Sequence, residues 1–545
     1  MARLAKWSTL GIGLVAAALL AGCSGGGSSS GSGTSSSTAA SSAASSAATG
    51  SGEIDTMTWA VPSPVMSIDS AKDPNLPSVR TQSTAFDRVL AQDNEGNIVP
   101  SVTSYATPDS KTVVLTLRDD VKFWDGTPLT AEDVAYSINR HVGPDSTSLQ
   151  AQFFATVESV EVTDPKTVTI KLAAPDPAMP TKLAVFAFVR QQAYDEAAGE
   201  AAGGPEKPGM GTGPYSIVSY SSADGVVFAR NDSYWGGVPK AKEIKVVTIE
   251  DPETARLAMS SGEIDGFFDV PLIATRQWDE LDNATMSYVI GGYMDYLAMD
   301  TTRAPFNDVN ARLAIAHLLD RAALAQPLFN GRAAAATSLV PEVQMTTTFR
   351  DEAGTVTAAF APIPEFSIEK AKEALAKSAS PDGFTVDLAV DTTQPWMSPL
   401  GQNLAETAKQ VGITINVKQV SAADWVAGLF DPAASPLQLI SVAAPTTWAG
   451  ELPPVMVGEA APFNIAKYAT GEVNELAGAI AVSTTSAELK DPLIALMSDV
   501  NTNAPYVPLF NEQVAVAIGN RLLWNGGYSY FAPGQTWPMS ISGAQ

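Results

Sequence analysis

The chain has 545 residues, 45% hydrophobic and 17% charged, enough apolar content for a large core or more than one. Acids outnumber bases 58 to 33, for a net charge of −25, which excludes nucleic acid as a partner because phosphates demand a basic footprint. There is one cysteine, so no intramolecular disulfide, and two histidines far apart in sequence, His141 and His317, so no His/Cys metal cluster; no cofactor is expected.

Arg3 and Lys6 precede an apolar run, residues 10–20, that is too short to span a bilayer permanently. It closes on Leu20-Ala21-Gly22-Cys23, small residues before a cysteine that resemble a bacterial lipobox. That resemblance implies a lipoprotein signal peptide over residues 1–22 and a lipid-bearing mature N-terminus at Cys23. Residues 23–52 are almost wholly Ser, Gly, Ala and Thr, have little to bury, and read as a disordered tether. The expected location is extracytoplasmic, lipid-anchored to the bacterial cell membrane.

Residues 53–60 (EIDTMTWA) predict a first strand; Pro62, Pro64, Pro74 and Pro77 predict a loop after it, and residues 82–90 a helix. The most informative stretch is residues 112–142, TVVLTLRDDVKFWDGTPLTAEDVAYSINRHV. Val113, Leu115 and Leu117 alternate with Val114, Thr116 and Arg118, as in a half-buried strand. Asp119-Asp120 breaks the run, Val121 and Phe123 resume it, and Asp125-Gly126-Thr127-Pro128 supplies a turn. Thr130 with Asp133 is a variant capping box, and Val134 and Ile138 share one face of the helix that follows. Turns and a cap account for its Asp, Thr and Gly residues, and Trp124 is expected in the core.

Residues 158–163 and 167–172 flank Asp164-Pro165 as a hairpin, and the Ala/Gly/Pro-rich residues 197–209 read as a loop or boundary. Gly211-Thr212-Gly213-Pro214-Tyr215 lacks the Lys-Ser/Thr of a phosphate loop and leads into a strand, so its glycines are expected to make turns. Residues 242–249 predict a strand; Asp251-Pro252-Glu253 opens a helix that Gly262 ends. Residues 367–378, 385–390, 402–410 and 413–420 alternate helix, strand, helix, strand, which predicts a parallel pair with a right-handed crossover. A late strand is expected over residues 508–518.

The run LRDDVKFWDGTPLTAEDVAYSINR resembles the signature of the extracytoplasmic solute-binding proteins of ABC importers, family 5, the peptide/nickel class with its oligopeptide- and dipeptide-binding members. RNDSYWGG (230–237), SGEID (261–265) and YLAMDTTRAPFNDVNARLAIAHLLDR (296–321) resemble further anchors of that class, with Met299-Asp300-Thr301 standing where it has Phe-Asn-Thr. The resemblance covers the chain from about residue 53 onward. It implies an α/β, two-lobed, periplasmic-binding-protein-like clamp of type II with an extra small domain in the first lobe. The implied segments are 53–98 for the first part of lobe 1, 99–210 for the extra subdomain and 211–305 for the second part of lobe 1. Lobe 2 then takes 306–505, and 506–545 returns to lobe 1. It also implies a monomer without enzymatic activity that delivers its solute to the transmembrane subunits of an ABC permease. A peptide is the expected solute, an oligosaccharide or other small solute the alternative. A secreted hydrolase is the remote alternative, for no serine outside the Ser/Gly/Ala tether sits in a Gly-x-Ser-x-Gly elbow.

In the peptide-binding members of the class, a Trp-x-x-Asp-Tyr-Pro-Asp-Pro run supplies the aspartate that pairs with the peptide's α-ammonium group. The matching run here is Trp448-Ala449-Gly450-Glu451-Leu452-Pro453-Pro454. The resemblance thus places Trp448 and Glu451 at the ligand, Glu451 one methylene longer than the aspartate, while Leu452 and Pro454 replace the Tyr and second Asp. Trp396 and Trp425, whose rings suit peptide side chains or the apolar faces of sugars, and Tyr293, near the expected lobe boundary, complete the candidate ligand-binding set.

Overall fold

The computed structural model describes residues 52–444, 446–531 and 536–544; Cys23, the signal segment and nearly all of the tether lie outside them. Strand Ile54–Val61 runs parallel to Ala241–Thr248 on one side and to Gly266–Phe267 on the other. Its Met57, Trp59 and Val61 enter one apolar cluster and Ala60 another, the two-residue period of a strand covered on both faces. Hairpin strands Tyr215–Ser221 and Gly225–Arg230 extend this sheet. Helix Pro252–Ser261 starts where the Asp251 side chain accepts from the Thr254 N–H at 2.7 Å and stops at Gly262 with φ 77°.

Two long antiparallel strands, Ala284–Met299 and Tyr506–Gly519, carry the sheet from one lobe to the other. Residues 284–290 pair with 513–519 on the side of Gly266–Phe267. Beyond a register break between Ile290 and Met294, residues 294–298 pair with 506–511, beside strand Leu437–Ala443. Through that strand the sheet continues into the predicted parallel pair, Thr385–Asp391 and Thr414–Val420, joined by helix Met397–Lys409. The break lies between the lobe halves, where a hinge bends most easily. Gly291 and Gly292 fill it. A Cβ on Gly292 would fall 2.1 Å from the Tyr530 hydroxyl oxygen, and one on Gly291 2.8 Å from the Glu512 carbonyl oxygen.

A separate antiparallel sheet, ordered Thr103–Asp109, Thr112–Leu117, Thr167–Leu172, Val157–Asp164, forms the extra domain. Val113, Leu115 and Leu117 enter its core with Val134 and Ile138 of helix Ala131–Asn139, which is closed by the Thr130–Asp133 capping box. Trp124 packs on Phe86 and donates through Nε1 to the Gly213 carbonyl at 3.1 Å. His141 is buried, 2.6 Å from Ser148 Oγ through Nδ1, and burial pushes its imidazole down to about 4. No helix among the described residues is long and apolar enough to cross a membrane.

Two local expectations need correction. The helix expected over residues 82–90 is instead Leu76–Gln82, within the stretch read as loop: Pro77 sits in the first turn, where a missing N–H leaves nothing unsatisfied. After it the chain turns inward, and Phe86, Asp87, Val89 and Leu90 are buried without a helical period. Gly211 and Gly213 are not turn makers, for neither has a positive φ. They are small because Ala85 runs over them: a Cβ on Gly213 would lie 2.3 Å from the Ala85 carbonyl oxygen. Beside that contact, buried Asp87 accepts from Tyr234 Oη at 2.7 Å, Trp235 Nε1 at 2.8 Å and Thr212 Oγ1 at 2.9 Å. The GTGPY and RNDSYWGG motifs therefore meet on one carboxyl group, in a structural role.

Candidate functional site

A cavity of about 370 Å³ lies between the lobes, within the range of small-molecule sites. The first lobe supplies Leu76, Val79 and Arg80 from helix Leu76–Gln82, and Gln92 from the short strand Leu90–Gln92. The extra domain adds Gln150, Phe153 and Phe186, the two phenyl rings stacked at 4.3 Å. Opposite them, the second lobe presents Asp391 at the carboxyl end of strand Thr385–Asp391 and Gln394 just past it, and Trp425 and Leu429 from helix Ala422–Phe430. Tyr293, Val514 and Tyr530, beside the register break, close the hinge side.

Of the five expected ligand residues, Tyr293 and Trp425 meet in this wall. Trp425 is fixed by its Nε1, which donates to the Leu439 carbonyl at 3.1 Å. Burial pushes the Tyr293 phenol up, so it stays neutral. Trp396 is elsewhere, buried in the second-lobe core against Phe329 and Phe510. Trp448, half-buried, packs on the same core, above Gly450.

Glu451 is set back from the wall formed by its neighbours Thr446, Thr447 and Leu452. Its carboxyl accepts from the Thr446 hydroxyl and lies near Lys182 of the opposite lobe, which is paired with Asp176 at 2.8 Å. Burial pushes the Glu451 carboxyl up to about 7, against the lowering effects of the Lys182 charge and the Thr446 hydrogen bond.

Sequence reading missed Arg80, Gln92, Gln150 and Asp391. The first three are single polar residues without a motif; Asp391, at the carboxyl end of a parallel strand, stands where open α/β sheets bind ligands and was findable on that ground. Arg80 is buried, paired with Asp269, lies 4.5 Å over the Phe268 ring, and donates to Tyr528 Oη at 3.3 Å. Behind the wall, on the two hinge strands, Asp295 faces Glu512. Burial raises both carboxyls, that of Glu512 to about 7, so the facing pair retains a proton near neutrality.

The interlobe cavity and the crossing strands are the architecture of a binding clamp, and comparison with known proteins agrees. Residues 97–441 match the model for "Bacterial extracellular solute-binding proteins, family 5 Middle". The chain belongs to this family. Its family 5 relatives include the "Glutathione-binding protein GsiB" of Salmonella typhi, 26% identical over 429 residues, covering 76% of this chain and 80% of the relative. GsiB of Escherichia coli O157:H7 is 25% identical over 441 residues at the same coverage. Among solved structures, the oligopeptide-binding protein AppA from Bacillus subtilis, in complex with a nonapeptide, aligns with a TM-score of 0.71 at 16% identity, over 91% of this chain and 100% of its own. CtaP from Listeria monocytogenes aligns with a TM-score of 0.77 at 18% identity, over 90% and 100%. These two share the fold. The relatives are binding proteins of transporters, not enzymes.

Proposed function

We propose that this family 5 protein captures a short peptide, or a solute of that size, between its lobes and hands it to the transmembrane subunits of an ABC permease. The observation that carries the proposal is the cavity walled by both lobes and bordered by the strands that join them. A solute touching both walls binds the closed clamp more tightly than the open one, so it shifts the chain toward closure, and the permease reads the closed shape. Tyr293 and Trp425 contact the solute in this reading, one at the hinge and one in the second lobe. The names of the relatives support a peptide-like ligand: glutathione for GsiB, a nonapeptide for AppA. A lipid on Cys23 and the tether after it keep the clamp at the membrane while leaving it room to move.

Native mass spectrometry of the purified protein tests the capture: a non-covalent adduct of peptide size is expected, lost on denaturation. A protein that carries no adduct and takes up none from a peptide digest would sink the proposal. Cys23→Ala should move the protein from the membrane fraction to the medium; retention on the membrane would remove the lipid anchor.

A further inference from the structure

Helix Glu342–Phe349 belongs to the second lobe. Phe349 is buried in the apolar cluster that also holds Trp425 and Leu429. The Thr348 hydroxyl donates to the Thr447 carbonyl at 3.2 Å and accepts from the Ala449 N–H at 2.8 Å. Arg350, the next residue, ends the helix with φ 51° and ψ −125°. A residue with a side chain avoids such backbone unless its surroundings impose it, and strain of this kind gathers where a structure switches. From there the guanidinium crosses to the first lobe. Nη1 donates to the Glu95 carbonyl at 2.9 Å and Nη2 to Asn97 Oδ1.

Both acceptors sit on the turn that joins strands Leu90–Gln92 and Ile98–Pro100, and that turn is built in advance of the contact. The Asp93 carboxylate accepts from the N–H groups of Glu95 and Asn97 at 3.0 and 2.8 Å. It also accepts from Asn97 Nδ2 at 2.8 Å, which leaves the amide oxygen for Arg350. Ser529 Oγ, in the segment that returns to the first lobe, donates to the Asn94 carbonyl at 3.0 Å. Gly96 lies so close to Phe531 that a Cβ would meet its ring at 2.7 Å, and Phe531 is part of the cavity wall. The guanidinium therefore docks on an ordered surface backed by the cavity, and little ordering is lost on that side when the lobes meet.

We propose that Arg350 is a latch: it holds the lobes together in the absence of solute and so sets how much of the protein is closed before capture. Its bonds exist only when the lobes are together, so they favour the closed clamp over the open one. A clamp that is already partly closed spends less of the solute's binding energy on closing. Arg350 is a positioning residue in this role. The inference rests on the clamp reading of the interlobe cavity, and it requires nothing of the solute's chemistry.

Small-angle X-ray scattering of the purified, solute-free full chain, fitted as a mixture of closed and open forms, tests the latch. Arg350→Gly removes the guanidinium and suits the backbone at that position. The closed-to-open ratio should fall about five- to tenfold in the variant, while its melting temperature stays level or rises. A ratio that does not change, a wild type wholly open without solute, or a lower melting temperature with no shift in the ratio overturns the latch. If the glycine variant misfolds, Asn97→Ala on the facing lobe makes the same comparison, and an unchanged ratio there overturns the latch too. A ratio that shifts in a protein shown by mass spectrometry to take up no solute leaves the latch standing and sinks solute capture instead.

Discussion

Glu451→Gln should flatten the pH dependence of stability. Burial pushes this carboxyl from the usual 4.5 up to about 7, partly opposed by the Lys182 charge and the Thr446 hydrogen bond. Because the folded-state value is the raised one, the fold holds a proton that the unfolded chain has released. The stability this group contributes is full below about 4.5 and is lost as pH rises through about 7. At about 1.4 kcal/mol per pH unit, the span amounts to roughly 3 kcal/mol, an upper figure because Glu451 keeps some contact with solvent. Glutamine keeps the shape and an acceptor for the Thr446 hydroxyl but has no proton to lose. Relative to wild type, the variant should gain about 2–3 kcal/mol between pH 5 and pH 8. Urea unfolding followed by tryptophan fluorescence at the two pH values reads the difference directly. Asp295 and Glu512 titrate in both proteins and so cancel. A wild-type–variant gap that is the same at both pH values refutes the reasoning and removes Glu451 from the set of buried, proton-holding groups.

Three further perturbations follow from the packing. Asp87→Ala strands three buried donors, on Tyr234, Trp235 and Thr212, and should lower stability by about 3 kcal/mol or more in the same urea assay; a loss under about 1 kcal/mol would show that water replaces the carboxyl. Asp269→Asn tolerates the left-handed backbone there (φ 58°) yet leaves the buried Arg80 charge unpaired, so about 3–5 kcal/mol should be lost at pH 7; a variant as stable as wild type contradicts the ion pair. Gly213→Ala drives a Cβ to 2.3 Å from the Ala85 carbonyl oxygen and should cost about 1–3 kcal/mol, whereas Gly478→Ala, on a helix with open space around it, should add about 0.5–1 kcal/mol. Equal effects at the two glycines would show that close approach is not what keeps Gly213 small.

The legible parts of the fold are those that local chemistry dictates. Thr130 and Asp133 form the capping box their spacing announces, Asp251, Pro252 and Gly262 delimit one helix, and the alternation of Val113, Leu115 and Leu117 becomes a strand. Helix Leu76–Gln82 hides among its prolines, because Pro77 stands in the first turn, where proline starts a helix and does not break one. The glycines of GTGPY look like turn makers in the sequence, because close approach of another segment leaves no local trace there.

The site follows the same division. Tyr293 was placed from its position near the lobe boundary, and Trp425 from its ring; both reach the cavity. Trp396 and Trp448 carry the same ring into the second-lobe core, and no local pattern separates a tryptophan of the wall from one of the core. Gln92 and Gln150 are harder still. A glutamine on a strand end or before a short helix reads as surface, and only the folded structure shows it buried with side-chain atoms that lack a partner. Glu451 shows why the motif nearest to ligand chemistry was the least informative. The sequence places an acid where an ammonium group would be met, but the cation whose charge acts on it is Lys182, a residue 269 positions earlier on the opposite lobe. What a clamp holds is decided by which side chains the closed lobes leave unpaired, and in the described wall those include Arg80 Nε beside the amides of Gln92 and Gln150.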